Sequence, residues 1–281
     1  MAMYRPSLIP VCLAAGLLMQ GAAQGEDWIR LGEERVKLGA GAVLNAFDTE
    51  LRVNAKGIGG GGVDLEDDLG LSSDYRSFWG YAQWRVAPRH RLMLSYSQSR
   101  RDADVTALTD IEIGDGQVIQ AGATVHTELN TNMLPIRYAY SFVKDESHEL
   151  ALSLGVHWNR VEFVVDASAW VEDEGGRRRV EAKADAPLPL IGLAYDYYLS
   201  PRWAINLSGE LFYLKLNSNL VTYQGSLYNA RLGTEYWLSN HFGVGGAVSV
   251  FGLDVDVDDP DWKGSLDFRY WGPQLYVVGR F

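Results

Sequence analysis

The sequence predicts an all-β chain: a transmembrane, antiparallel, up-and-down β-barrel of about ten strands, with eight or twelve as the neighbouring counts. Three observations carry this. Long stretches alternate apolar and polar residues with period two, the pattern of a strand with unlike faces. The polar faces are built of Ser, Gly, Ala and Asn with isolated charges, and almost no Lys, which fits a narrow lumen better than a solvent face. The connections alternate between short turns and long, charged or Gly-rich loops, as the two ends of a membrane barrel require. Composition agrees: 47% hydrophobic and 22% charged, with 30 Gly, 9 Trp, 15 Tyr and 9 Phe. After the amino-terminal segment no apolar run reaches the roughly 18–20 residues of a spanning helix. A formal charge of −11 argues against nucleic acid as a partner.

The amino terminus reads as a secretory signal peptide over residues 1–23. Arg5 gives a short positive region, Leu8 to Met19 an apolar one, and Gly21-Ala22-Ala23 a small-residue cleavage site. A buried N-terminal helix is the alternative. The single Cys, Cys12, falls inside this segment, so the mature chain should carry none. Residues 24–35 are expected as a short periplasmic segment and residues 36–281 as the barrel.

The strands are placed in order at Val36–Val53, Tyr75–Val86, Arg91–Ile113, Gln117–Val143, Glu149–Trp170, Val180–Leu199, Trp203–Thr222, Ser226–Leu238, Phe242–Val257 and Ser265–Phe281. In the second, Phe78, Gly80, Ala82, Trp84 and Val86 share one face, while Ser77, Tyr81, Gln83 and Arg85 share the other. Leu92, Leu94 and Tyr96 oppose Arg91, Ser95 and Ser97. Leu134 to Phe142 alternate against Arg137, Ala139 and Ser141. Leu150 to Trp158 alternate against Ser153, Gly155, His157 and Asn159. Ile191 to Leu199 oppose Gly192, Ala194 and Asp196, Trp203 to Tyr213 oppose Asn206, Ser208 and Glu210, and Tyr228 to Leu238 oppose Asn229, Arg231 and Glu235. Aromatics near strand ends (Tyr140, Phe142, Tyr195, Tyr197, Trp203, Tyr236, Phe242) suit an interfacial girdle. Several strands exceed the ~9–11 residues needed to cross, so the barrel should project above the membrane on the loop side.

The last residue is Phe281, preceded at alternate positions by Gly279, Val277 and Leu275. With the signal peptide and the alternation, this resembles Gram-negative outer-membrane β-barrel proteins, whose final strand ends in a Phe read by the outer-membrane assembly machinery. Many of them carry an aromatic where this chain has Gly279. Glu66-Asp67-Asp68-Leu69-Gly70-Leu71 also resembles a recurring element of proteobacterial barrels of uncharacterised function. The resemblance covers most of the mature chain. It implies an outer-membrane location, the assembly machinery and membrane lipid with lipopolysaccharide as partners, and no activity.

The lumen charges are the candidate site. Arg85, Arg91, Arg137, Asp196, Glu210, Arg231, Glu235 and Arg280 fall on polar faces. They are expected to form an ion-pair network that fills the interior, since unpaired buried charge is costly; a narrow selective pore lined by them is the alternative. No catalytic constellation emerges and no cofactor or metal is implied. The omptin proteases combine an Asp pair with Asp-x-His; Asp67-Asp68 is such a pair, but no Asp-x-His occurs. The lipid A deacylase barrel uses His-x-Ser, which is also missing. His90, His148 and His241 sit in short turns, His126 lies near the loops with Asp110 and Asp115 within possible reach, and His157 points into the lumen. The run Asp254 to Asp261 reads as a solvated acidic rim or a cation site. Arg177-Arg178-Arg179 reads as a self-pairing hairpin tip or a contact to lipopolysaccharide phosphate. A non-enzymatic structural, surface or narrow-pore protein is therefore expected, with a rim enzyme acting on lipid or peptide as the alternative. Oligomeric state is open.

Overall fold

A computed structural model describes residues 28–54, 62–108, 110–112, 118–168, 178–217, 222–258 and 263–281. The expected signal peptide and its cleavage site lie outside these. The strands are β1 (Val36–Asn54), β2 (Gly62–Asp64), β3 (Asp74–Ala87), β4 (His90–Thr106), β5 (Ile111–Glu112), β6 (Val118–Ile119), β7 (Thr124–Lys144), β8 (His148–Ala167), β9 (Arg178–Ser200), β10 (Trp203–Asn217), β11 (Thr222–Trp237), β12 (Phe242–Asp258) and β13 (Lys263–Arg280). Ten of them form one antiparallel sheet in the order β1, β3, β4, β7, β8, β9, β10, β11, β12, β13. The sheet closes on itself where β13 pairs with β1, from Lys37↔Arg280 to Asn54↔Lys263. Closure leaves no unpaired edge in the bilayer, where an unmet backbone group costs several kcal/mol. The expected count of ten is the observed one.

Two expected strands are shorter than the alternation suggested. The β4–β7 ladder ends at Thr106↔Thr124, and Ile113 and Gln117, the expected strand ends, lie outside the described residues. Beyond it Ile111 and Ile119 turn inward, past a neck closed by Ala107 N–H to Ala123 O at 2.9 Å and Gly122 N–H to Ala107 O at 2.7 Å, with Gly122 at φ 88°. The cause is burial: Ile111 and Ile119, on the small β5–β6 hairpin, pack with Val63, Leu65, Leu69 and Leu71 of the first loop against Val125, Leu129, Phe163 and Val165. This apolar cluster stops the mouth above β7 and β8. Asp64 organises the first loop by accepting the backbone N–H groups of Glu66 and Asp67.

Outside, the barrel carries an exposed apolar belt that includes Leu94, Ile136, Leu154, Ile191, Leu232 and Leu275. Trp84, Tyr140, Phe142, Trp203 and Tyr236 edge it near the short turns, and Phe78, Tyr96, Trp158, Tyr213 and Trp271 on the loop side. Above the second edge the same outward rows turn polar: Arg100 and Asp104 on β4, His126 and Glu128 on β7, Arg160 and Glu162 on β8, Lys183 and Asp185 on β9. One side of the wall therefore stands clear of the bilayer.

Candidate functional site: the charged interior

The inward faces stack in tiers. At the floor, Arg85 gives Nη1 and Nη2 to the two oxygens of Glu149 at 2.8 and 2.9 Å. Ser141 Oγ and Tyr198 O–H also donate to Glu149, at 2.5 and 2.9 Å. Arg91 stands 3.5 Å from Glu149 and donates Nη1 to Asp196 at 2.7 Å, and Asn206 completes Asp196. Glu149 is fully buried, so each donor replaces hydration lost on folding.

The middle tier has two groups. Lys37 lies 3.0 Å from Glu235 and 3.6 Å from Glu34, and Glu235 accepts O–H bonds from Tyr81 and Tyr276. Across the barrel Arg137 bonds Glu210 and Ser95, and Asn229 donates to the other oxygen of Glu210 at 2.9 Å. Arg231 makes neutral contacts: Nε to Gln274 at 3.0 Å, Nη2 to the Tyr276 hydroxyl at 2.8 Å, and its guanidinium over the Trp79 ring at 5.2 Å. Arg280 stacks 4.3 Å from the Trp237 ring and donates to the Asn240 carbonyl. Trp28, ahead of β1, covers Arg280 and Arg202 and closes the short-turn end.

An apolar tier follows, in which Phe47, Phe251, Phe268 and Tyr270 pack ring on ring, Phe251 and Tyr270 stacked at 5.0 Å. Arg101 lies 4.1 Å over Phe47, pairs with Glu66 of the first loop and donates to Thr49. The loop cluster caps this tier.

The eight lumen residues expected from sequence thus sort into Arg85, Arg91 and Asp196 at the floor, Arg137 with Glu210, Arg231 linked to Glu235 through Tyr276, and Arg280 apart from the acids. Sequence reading missed Glu149, Lys37, Glu34 and Arg101. Parity held the signal for Glu149, which shares the face of Ser153 and His157, and for Arg101, which shares that of Arg91 and Ser95.

His90 and His148 bond Tyr138 and Tyr195 hydroxyls, and His241 the Arg280 carbonyl. His157 is buried, 5.6 Å from Phe251. His126 faces outward, with Nδ1 2.9 Å from Asp104 and Nε2 3.1 Å from Glu128, which raise its pKa, Glu128 foremost. Asp110 instead accepts the Ala121 N–H, and Asp115 lies outside the described residues. So do Asp259 to Asp261 and Arg177; Asp254 and Asp256 point outward from β12. Among the described residues no three His, Cys, Asp or Glu are placed to hold a metal ion. Phe281 stacks on His241 at 5.7 Å, and its backbone bonds that of Val36.

No sequence-family model and no curated protein matches the chain. Solved structures do. The outer membrane protease OmpT from Escherichia coli matches with a TM-score of 0.59 at 13% identity, over 91% of this chain and 99% of that one. The translocator domain of the autotransporter NalP from Neisseria meningitidis gives 0.44 at 11% identity, over 96% and 92%. Ail, the attachment invasion locus protein of Yersinia pestis, gives 0.35 at 12%, over 89% and 99%. At such identity the OmpT likeness defines the class by fold alone: the β-barrel of outer-membrane proteins.

Proposed function

We propose that this chain is a non-enzymatic outer-membrane protein, a closed barrel that serves as a rigid surface scaffold. The observation that carries the reading is the obstructed interior: among the described residues the Arg85–Glu149 floor, the Phe47–Phe251–Phe268–Tyr270 tier and the loop cluster each set packed side chains across the lumen. Both ring nitrogens of the rim histidine His126 contact carboxylates, Asp104 and Glu128, as members of a surface ion-pair cluster. The signal peptide delivers the chain across the inner membrane, Phe281 marks its last strand for assembly, and lipid and lipopolysaccharide surround the belt. Planar-bilayer recordings of wild type and Arg137→Ala test this. The wild type should give no steady large conductance. Stable porin-sized steps shifted by the substitution would make solute passage the function instead.

A further inference from the structure

Between the floor and the apolar tier the side chains do not fill the barrel completely. Two neighbouring cavities, of about 90 and 120 Å³, share Trp79, Ser95, Arg137, Ser208 and Arg231 in their linings. One probe sphere, the space a water requires, is only about 10–15 Å³. The chamber is thus large enough for a small solute and too small for an oligosaccharide or a lipid.

The chamber's charge does not balance. Lys37, Arg85, Arg91, Arg137, Arg231 and Arg280 point inward from the floor to the apolar tier; Glu34, Glu149, Asp196, Glu210 and Glu235 answer them. One cation is in excess. By contact two cations touch no acid, because Glu34 and Glu235 both lie against Lys37: Arg280 at the short-turn end and, within the chamber, Arg231, whose partners are the Gln274 amide oxygen, the Tyr276 hydroxyl and two aromatic rings. Glu235, the acid Arg231 reaches through the Tyr276 hydroxyl, is engaged by Lys37. A buried charge without a counter-charge is disfavoured in a low-dielectric interior.

Uncommitted polar atoms converge on the same space. Arg137 Nε and His157 Nδ1 have no protein partner, and His157, only 2% exposed, lines the cavity. A guanidinium without an acid, a second guanidinium N–H and a buried ring nitrogen together form a donor set suited to an anion.

We propose that this chamber binds one small monovalent anion, of halide or formate size, with Arg231 as its counter-charge and Arg137 and His157 as further donors. The charged floor lies below it and the aromatic tier above, so the anion serves as a structural component of the interior. This goes beyond the scaffold reading, which holds whether the chamber contains an anion or water.

The test uses the mature chain folded in bromide. A crystal structure should show a bromine anomalous peak in the chamber beside Arg231, and formate should displace it if small carboxylates are accepted as well as halides. At constant ionic strength, bromide should raise the thermal midpoint, with a half-saturation weakened roughly tenfold or more in Arg231→Gln, as expected for loss of one charged hydrogen-bonding group. Arg160→Gln, on the outer wall, should leave the response unchanged. A wild-type chamber without anomalous signal, or a peak that persists undiminished in Arg231→Gln, would overturn the proposal. The wild-type map decides alone if that variant fails to fold.

Discussion

Arg85 and Glu149, sixty-four residues apart in sequence, meet fork to fork on the barrel floor, and Glu149 is at the same time the acid nearest Arg91 after Asp196. Two guanidinium groups thus converge on one carboxylate. Glu149→Ala should therefore cost more than any exposed pair, on the order of 3–5 kcal/mol, because it strands buried charge. Arg85→Met alone removes a donor but leaves Glu149 with Arg91, Ser141 and Tyr198. Urea unfolding in detergent should rank Glu149→Ala well below Arg85→Met, and the double variant should lose less than the two single losses added. Simple additivity would mean the floor is not coupled.

Phe268, within β13, and Phe281, the residue after it, should fail differently. Phe268 is buried in the aromatic tier, so Phe268→Ala should lower the unfolding midpoint, with a cost of about 3–5 kcal/mol. Phe281 is exposed, its ring stacks on His241 and its backbone makes three hydrogen bonds to Arg35 and Val36, so its deletion should cost the folded fraction less stability than Phe268→Ala while reducing the amount inserted in the outer membrane more. Heat-modifiable gel migration of membrane fractions separates yield from stability. Equal loss of insertion in both variants would deny Phe281 a role as assembly signal.

The outer wall should respond to pH in one direction. Glu128 and then Asp104 raise the His126 pKa above the ordinary 6.5, so the stability its imidazolium adds is complete below that value and disappears as pH rises through the raised one. Asp254 and Asp267, opposite each other in register, have raised carboxyl pKa values. Burial is the first cause for both; Asp256 adds for Asp254, while for Asp267 Arg269 opposes and Asp254 adds. Ionising them is disfavoured in the fold, so they too favour lower pH. Thermal midpoints should fall from pH 5 to pH 9, less steeply in His126→Gln. An unchanged slope would show that the histidine contributes nothing to the wall.

The seam between β1 and β13 contains a position with no room for a side chain. A Cβ on Gly272 would sit 1.9 Å from the Leu44 carbonyl oxygen, where the β1–β13 register skips from Val43↔Gln274 to Ala46↔Trp271. Gly272→Ala should hinder closure and lower refolding yield into detergent micelles, whereas Gly209→Ala, with open space at its Cβ, should refold like wild type. Matching yields would show the seam to be pliable.

Strand number, facing and the eight lumen charges were legible because period two assigns every residue to a face once one outward Leu is fixed. Partners were not, because register across neighbouring strands depends on bulges such as those at Arg85/Ala87 and Ser141/Val143, which leave no mark in a single sequence. Glu149 was overlooked for its place beside a turn, where a charge reads as solvated. The folding of Ile111 and Ile119 into the mouth was hidden for a similar reason: within the hairpin they look like two more alternating residues.

Trp28 precedes the first strand, and Arg280, which it covers, nearly ends the last. The bottom seal is thus assembled from the two extremities of the barrel sequence, and no internal fragment contains both halves. That cover can form only once the first and last strands have met at the β1–β13 seam.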